Sequence, residues 1–260
     1  MSTTAVSVDG SRIGFESSGD GPPMLLVHGT SATHIRWAPV RDHLAEHYTV
    51  YEMDRRGRGL STDEADAYSL QREAEDIAAV AQAIGGGVYV VAHSFGALCT
   101  IEAAQRTSAF RRIVLYEPPR PTPGHDDVSS AVVAQLRAIT DREQILEVFY
   151  RNALRLPQSA IDGMRGTEMW RARLTAAHTI ARELDAVSEY RAGDLLGSIN
   201  VPVRMLVGAD STAFLRAATT AFAAEMAGVD LVDLAGQAHQ AIDFVPDEII
   251  RLVLEFDSAR

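Results

Sequence analysis

Short, continuously apolar runs alternate with stretches of helical period along most of this 260-residue chain, and that alternation admits few architectures. Met24-Leu25-Leu26-Val27, Val88-Tyr89-Val90-Val91-Ala92 and Val203-Arg204-Met205-Leu206-Val207 are too short for core helices. They are also too continuous for strands with one wet face, so they read as strands covered on both sides, the signature of a parallel sheet. Further strands are expected at 48–53, 112–116 and 230–234, with helices near 34–46, 69–84, 95–106 and 213–227 between them. At the start, Val6-Ser7-Val8 and Arg12-Ile13-Gly14-Phe15 flank Asp9-Gly10, whose glycine tolerates positive φ, so a hairpin should open the fold. A last helix should begin at Pro246, since proline suits a first helical turn.

After Glu117 the rhythm breaks at Pro118-Pro119-Arg120-Pro121-Thr122-Pro123-Gly124, and about 70 residues of helical period without a convincing strand follow. The reading is an α/β core made of residues 1–117 and 197–260, with a mostly parallel sheet flanked by helices, interrupted by a helical cap over 118–196.

Composition removes whole classes of chemistry. The chain has no lysine, so all 24 of its Lys+Arg positions are arginine, against 35 carboxylates. Schiff-base catalysis and a phosphate-binding Walker lysine are therefore excluded. A net charge of −11 without a basic stripe argues against nucleic acid or an anionic membrane as partner. Cys99 is the single cysteine and Met1 to Gly10 lacks the pattern of a secretory leader, which suits a reducing cytoplasm. His43-Leu44-Ala45-Glu46-His47 has the spacing of a zinc-protease pattern, but no third ligand is evident and the segment falls on an outer helix, so no metal is expected. A homodimer is compatible with the sequence.

The chemistry-bearing segment is Ala92-His93-Ser94-Phe95-Gly96, lying between a buried strand and a helix-forming stretch. A serine in so tight a strand-to-helix turn projects its hydroxyl above the sheet, and small residues two before and two after it let the backbones approach. A lone Ser-x-Gly is more often an ordinary βα turn. Here, however, the chain resembles the α/β-hydrolase superfamily, whose elbow reads Gly-x-Ser-x-Gly; Ala92 replaces the first glycine. His28-Gly29-Thr30 resembles the superfamily's oxyanion loop, and Asp54-Arg55-Arg56-Gly57-Arg58-Gly59-Leu60-Ser61 matches a structural loop of the same family.

The resemblance implies an α/β-hydrolase fold, a cofactor-free serine hydrolase, Ser94 as nucleophile and the amides of Thr30 and Phe95 as oxyanion donors. It also places the general base on a loop near the C-terminus. Among eight histidines, His239 in Gly236-Gln237-Ala238-His239 fits that loop, whereas the side chain of His93 should point away at the elbow. The family places the acid after either of two strands, and this chain offers a carboxylate at both: Glu117 and Asp210. Asp210 occupies the commoner location, but one residue early for the usual Gly-x-x-Asp. Tyr116-Glu117-Pro118-Pro119 resembles zearalenone-lactonase-type hydrolases, and Glu117 is preferred.

For the substrate, the apolar positions Trp170, Leu174, Ala177, Ala181, Leu184 and Val187, together with Phe149, Tyr150 and Tyr190, suggest an apolar roof and hence a hydrophobic ester or lactone. The arginines of residues 118–196, among them Arg137, Arg142, Arg151, Arg155, Arg165, Arg171, Arg173 and Arg182, are mostly expected on solvated faces, with one a candidate anchor for a substrate carboxylate. Thioesterase, acyltransferase, perhydrolase or C–C hydrolase chemistry would use the same triad, and a non-catalytic binder would keep only the fold.

Overall fold

The computed structural model of the protein describes residues 3–125 and 130–258, apart from the side chains at 194 and 195. Eight strands form one sheet: β1 (Thr3–Val6), β2 (Arg12–Ser18), β3 (Pro23–Val27), β4 (Thr49–Met53), β5 (Val88–His93), β6 (Phe110–Tyr116), β7 (Val203–Gly208) and β8 (Asp230–Leu234). Their order is β1-β2-β4-β3-β5-β6-β7-β8. The hairpin β1-β2 and the pair β2-β4 are antiparallel, and every pair from β4 to β8 is parallel.

Side chains alternate across the central strands. Leu25, Val27, Val90 and Ala92 enter one hydrophobic cluster, while Met24, Leu26, Tyr89 and Val91 enter another on the opposite face. That is why these runs are apolar at every position. β8, at the edge, is instead only part-buried over most of its length.

Helices α1 (Ala38–Ala45), α2 (Leu70–Ala83) and α3 (Phe95–Ala104) connect the first strands. The expected helix over 34–46 is divided, because His34–Trp37 forms a tighter 3-10 turn ahead of α1. Ser69 caps α2, its hydroxyl accepting from the Arg72 amide at 3.3 Å. Between β6 and β7 lie α4 (Ser130–Ala138), α5 (Arg142–Val148), α6 (Gln158–Met164), α7 (Glu168–Ala176) and α8 (Ile180–Glu189). They carry a hydrophobic cluster of their own around Leu146, Phe149, Ile161, Trp170 and Ile180. Residues 126–129 of the expected insertion lie outside the described residues. After β7 come α9 (Ala213–Glu225), α10 (Ala241–Phe244) and α11 (Pro246–Ser258).

A buried ionic network ties these helices to the core. Arg55 pairs with Glu73 of α2 and Glu183 of α8, each at 2.9 Å, and Arg58 also pairs with Glu183. Arg55 further donates to the carbonyls of His28 and Gly29, so one guanidinium braces the loop after β3. Burial alone would raise the Glu183 carboxyl's pKa, but Arg55 and Arg58 outweigh it and hold it below the usual carboxylate range. Its stabilisation is therefore complete at neutral pH and is lost as acid protonates it. Glu183→Ala would leave the buried Arg58 without a carboxylate and Arg55 with Glu73 alone, and a loss of about 3–5 kcal/mol is expected in urea unfolding at pH 7. A loss below about 1 kcal/mol would show that water reaches the network.

Candidate active site

The site is assembled at the carboxyl ends of β3, β5 and β6 and on the loop after β8, the edge where parallel sheets bind ligands. β5 ends at His93 and α3 begins at Phe95, so one residue must turn strand into helix. Ser94 does so with φ 57° and ψ −128°, a conformation L residues rarely adopt. Its neighbours hold it there. The Ser94 amide donates to the Tyr116 carbonyl at 2.8 Å, and a Cβ on Gly96 would come within 2.4 Å of the His28 carbonyl oxygen. Ala92, where the family has glycine, is buried between Val27 and Leu115 of the adjoining strands.

His239 lies between β8 and α10. Its Nε2 is 3.0 Å from Ser94 Oγ and its Nδ1 is 2.5 Å from Glu117 Oε2. The other Glu117 oxygen accepts from the Gly208 amide at 2.7 Å, and the Glu117 amide donates to the Leu206 carbonyl at 3.1 Å. Glu117 is fully buried at a positive φ of 50°, held by the next strand on one side and by His239 on the other. With Nδ1–H donating to a carboxylate, Nε2 is left with a lone pair toward the serine hydroxyl.

Asp210 is exposed on the loop after β7, where its amide donates to the Gln237 carbonyl at 2.8 Å, and it makes no hydrogen bond with His239. Of the two carboxylates left open by the sequence, the structure thus brings Glu117 to the imidazole and leaves Asp210 on the cavity wall. Thr30 and Phe95 line that cavity beside Ser94 and His239. The loop carrying Thr30 packs tightly on the serine, since a Cβ on Gly29 would lie 2.7 Å from Ser94 Cβ.

His93 departs from expectation. Its ring faces the site, 4.5 Å from the ring of His239, and its Nε2 donates to the His239 carbonyl at 3.0 Å. Burial, then the neighbouring His239 and Arg36, push its pKa well below the ordinary histidine value, so it acts as a neutral donor. The reason lies in the returning chain: the loop after β8 folds over the end of β5, and a ring on that face meets it. Tyr116 clamps the same loop, its hydroxyl donating to the Ala238 carbonyl and accepting from the Ala241 amide. Sequence reasoning missed both supports; their adjacency to Ser94 and Glu117 was the only available signal.

The cavity measures about 300 Å³. Phe149, Leu154, Leu156, Leu184 and Val187 from the helical segment close one side, and Phe214 and Leu215 another. Of the expected roof residues, Trp170 instead packs within the helical cluster and Tyr190 packs on Phe222. Half of the ten arginines of this segment form ion pairs among the described residues: Arg120 with Glu225, Arg137 with Asp185, Arg151 with Glu147, Arg165 with Glu143 and Glu147, and Arg182 with Asp63. His43 and His47 are exposed, and no group of three or more metal-type ligands occurs among the described residues.

A family model described as the alpha/beta hydrolase family matches residues 24–252. The chain belongs to that family. A crystal structure of an alpha/beta hydrolase from Sphaerobacter thermophilus superimposes on this hydrolase with a TM-score of 0.86 and 31% identity, covering 98% of this chain and 100% of the other. N-formylmaleamate deformylase of Pseudomonas putida is 38% identical over 109 residues, 41% of each protein. The chain's match thus spans less than half the length of that curated relative. An esterase from Rhodococcus sp. ECU1013 shares the fold, with a TM-score of 0.80, 23% identity, and coverage of 99% and 98%. None of the described helices of this alpha/beta hydrolase is long and apolar enough to cross a membrane.

Proposed function

We propose that this alpha/beta hydrolase cleaves a carboxylic ester or lactone through a Ser94-His239-Glu117 triad. The observation that carries the reading is the unbroken hydrogen-bond chain from Glu117 through His239 to Ser94 Oγ, which opens on an apolar cavity. His239 Nε2 takes the hydroxyl proton as Ser94 Oγ bonds to the carbonyl carbon, and Glu117 holds the ring and stabilises the imidazolium. The amides of Thr30 and Phe95 receive the developing oxyanion. Collapse of the tetrahedral intermediate breaks the acyl–oxygen bond, His239 gives its proton to the leaving oxygen, and water releases the acyl-enzyme by the same steps. The helices between β6 and β7 act as a cap, since their side chains wall the cavity and keep bulk water from the reacting atoms.

The stretch shared with a deformylase favours a second reading, cleavage of an N-acyl bond by the same residues. The test is stoichiometric labelling by a fluorophosphonate at Ser94, followed by rates on esters, lactones and N-formyl amides of matched size. Labelling together with ester or lactone turnover is the expected result. Labelling with amide turnover alone selects the second reading, and absence of labelling in well-folded protein overturns both.

A further inference from the structure

A second, smaller cavity shares Thr30, Ser94, Phe149, Leu154, His239 and Gln240 with the first, but its remaining walls differ in kind. They include Arg36, Arg173, Tyr150 and Ser31. Arg173 is 6% exposed, forms no ion pair among the described residues, and leaves Nε without a hydrogen-bond partner. Its Nη1 donates to the Tyr150 hydroxyl at 2.8 Å and lies 3.2 Å from Met164 Sδ; the Tyr150 hydroxyl in turn is 2.9 Å from Ser31 Oγ. Arg36 is 2% exposed; its Nη1 contacts Asp243 Oδ1 at 2.5 Å, while its Nη2 has no partner.

Of these two buried guanidinium groups beside the nucleophile, only Arg36 contacts a carboxylate, that of the part-exposed Asp243. They are close enough to feel each other: burial first, and Arg173 among the charges, push the Arg36 pKa down, against the pull of Asp243. A buried cation without a counter-ion is costly to a fold, as is each buried N–H left unbonded. Neither residue serves the triad or the oxyanion amides. The cavity holds about 30 Å³, and since a water needs roughly 10–15 Å³ by this measure, it has room for a group the size of a carboxylate but not for a ring.

We propose that the substrate is anionic: a carboxylate group occupies the small cavity against Arg36 Nη2 and Arg173 Nε, the scissile carbonyl lies at Ser94, and the apolar remainder fills the larger cavity. The proposal rests on the Ser94 reading above and narrows its substrate class. A guanidinium edge binds a carboxylate through directed, charge-assisted hydrogen bonds, which supplies orientation as well as attraction.

Two matched pairs test it, one with the charge on the acyl side and one with it on the leaving side: 4-nitrophenyl hydrogen glutarate against its methyl ester, and 3-(butanoyloxy)benzoate against its methyl ester. In at least one pair kcat/KM should favour the anion by about tenfold or more, the scale of one charged hydrogen bond. Arg173→Met should bring that ratio near one, and Arg173→Lys should restore part of it. Preference for the neutral ester in both pairs, or a ratio unmoved by Arg173→Met, overturns the proposal. Should Arg173→Met fail to fold, competitive inhibition of the native enzyme by glutarate but not by dimethyl glutarate decides in its favour, and no inhibition by glutarate decides against. Failure of the Ser94 reading looks different: no ester is turned over and no fluorophosphonate label appears, while glutarate binding to Ser94→Ala by calorimetry still reports on the arginine site.

Discussion

Ser94→Ala is expected to lower kcat by roughly a millionfold, because the proposed residues act as a unit and the nucleophile leads every later step. The substitution is well matched to its site. Alanine keeps the Cβ at the strained turn, φ 57°, so the strand-to-helix elbow and its packing on Gly29 should persist and only Oγ is lost. KM for an ester should change by only a few-fold, since the cavity walls and the loop carrying Thr30 are untouched. Steady-state rates with the variant purified away from any native enzyme check this. Residual activity of more than about one part in a thousand would mean that water or another group attacks the carbonyl without a covalent intermediate.

Glu117→Gln should cost about 10⁴-fold in kcat while Asp210→Asn stays within about threefold. Geometry explains the contrast. Glu117 uses one oxygen to accept from the Gly208 amide and the other to accept from His239 Nδ1. A glutamine can satisfy Gly208 only with its carbonyl, which turns its NH₂ toward Nδ1 and makes that nitrogen an acceptor. The ring proton then moves to Nε2, and a protonated Nε2 cannot take the Ser94 proton. Asp210 is exposed on the cavity wall, and its side chain makes no hydrogen bond with His239. Parallel kinetics on the two variants, with folding checked by circular dichroism, give the ranking; the reverse order would move the acid to Asp210.

Much of the architecture was legible because burial leaves a local mark. A strand covered on both faces must be apolar at successive positions, and β3, β5 and β7 announce themselves that way; the elbow needs small residues around Ser94, and Gly96 is there because the His28 carbonyl lies where a side chain would go. The reading failed where contacts come from far along the chain. His93 was expected to turn away, but a loop that starts 140 residues later folds across the end of β5 and meets its ring. The aromatic roof was partly misplaced for the same reason: helical period marks an apolar face without saying whether a core or a cavity lies opposite, and Trp170 went to the core of the helical segment.

Beyond a family resemblance that pointed to Ser94 and His239, the sequence by itself determined the α/β class, the order of strands and helices along the chain, and the absence of lysine chemistry. Those properties are written in residues near one another, whose spacing decides which face each side chain presents. Which of Glu117 and Asp210 lies against His239, and the pairing of Arg137 with Asp185 while Arg173 stays buried without a carboxylate, were decided only by tertiary structure. Both depend on distances between segments more than 90 residues apart or on which helix faces meet. A charge in a sequence has no partner until the chain has folded around it.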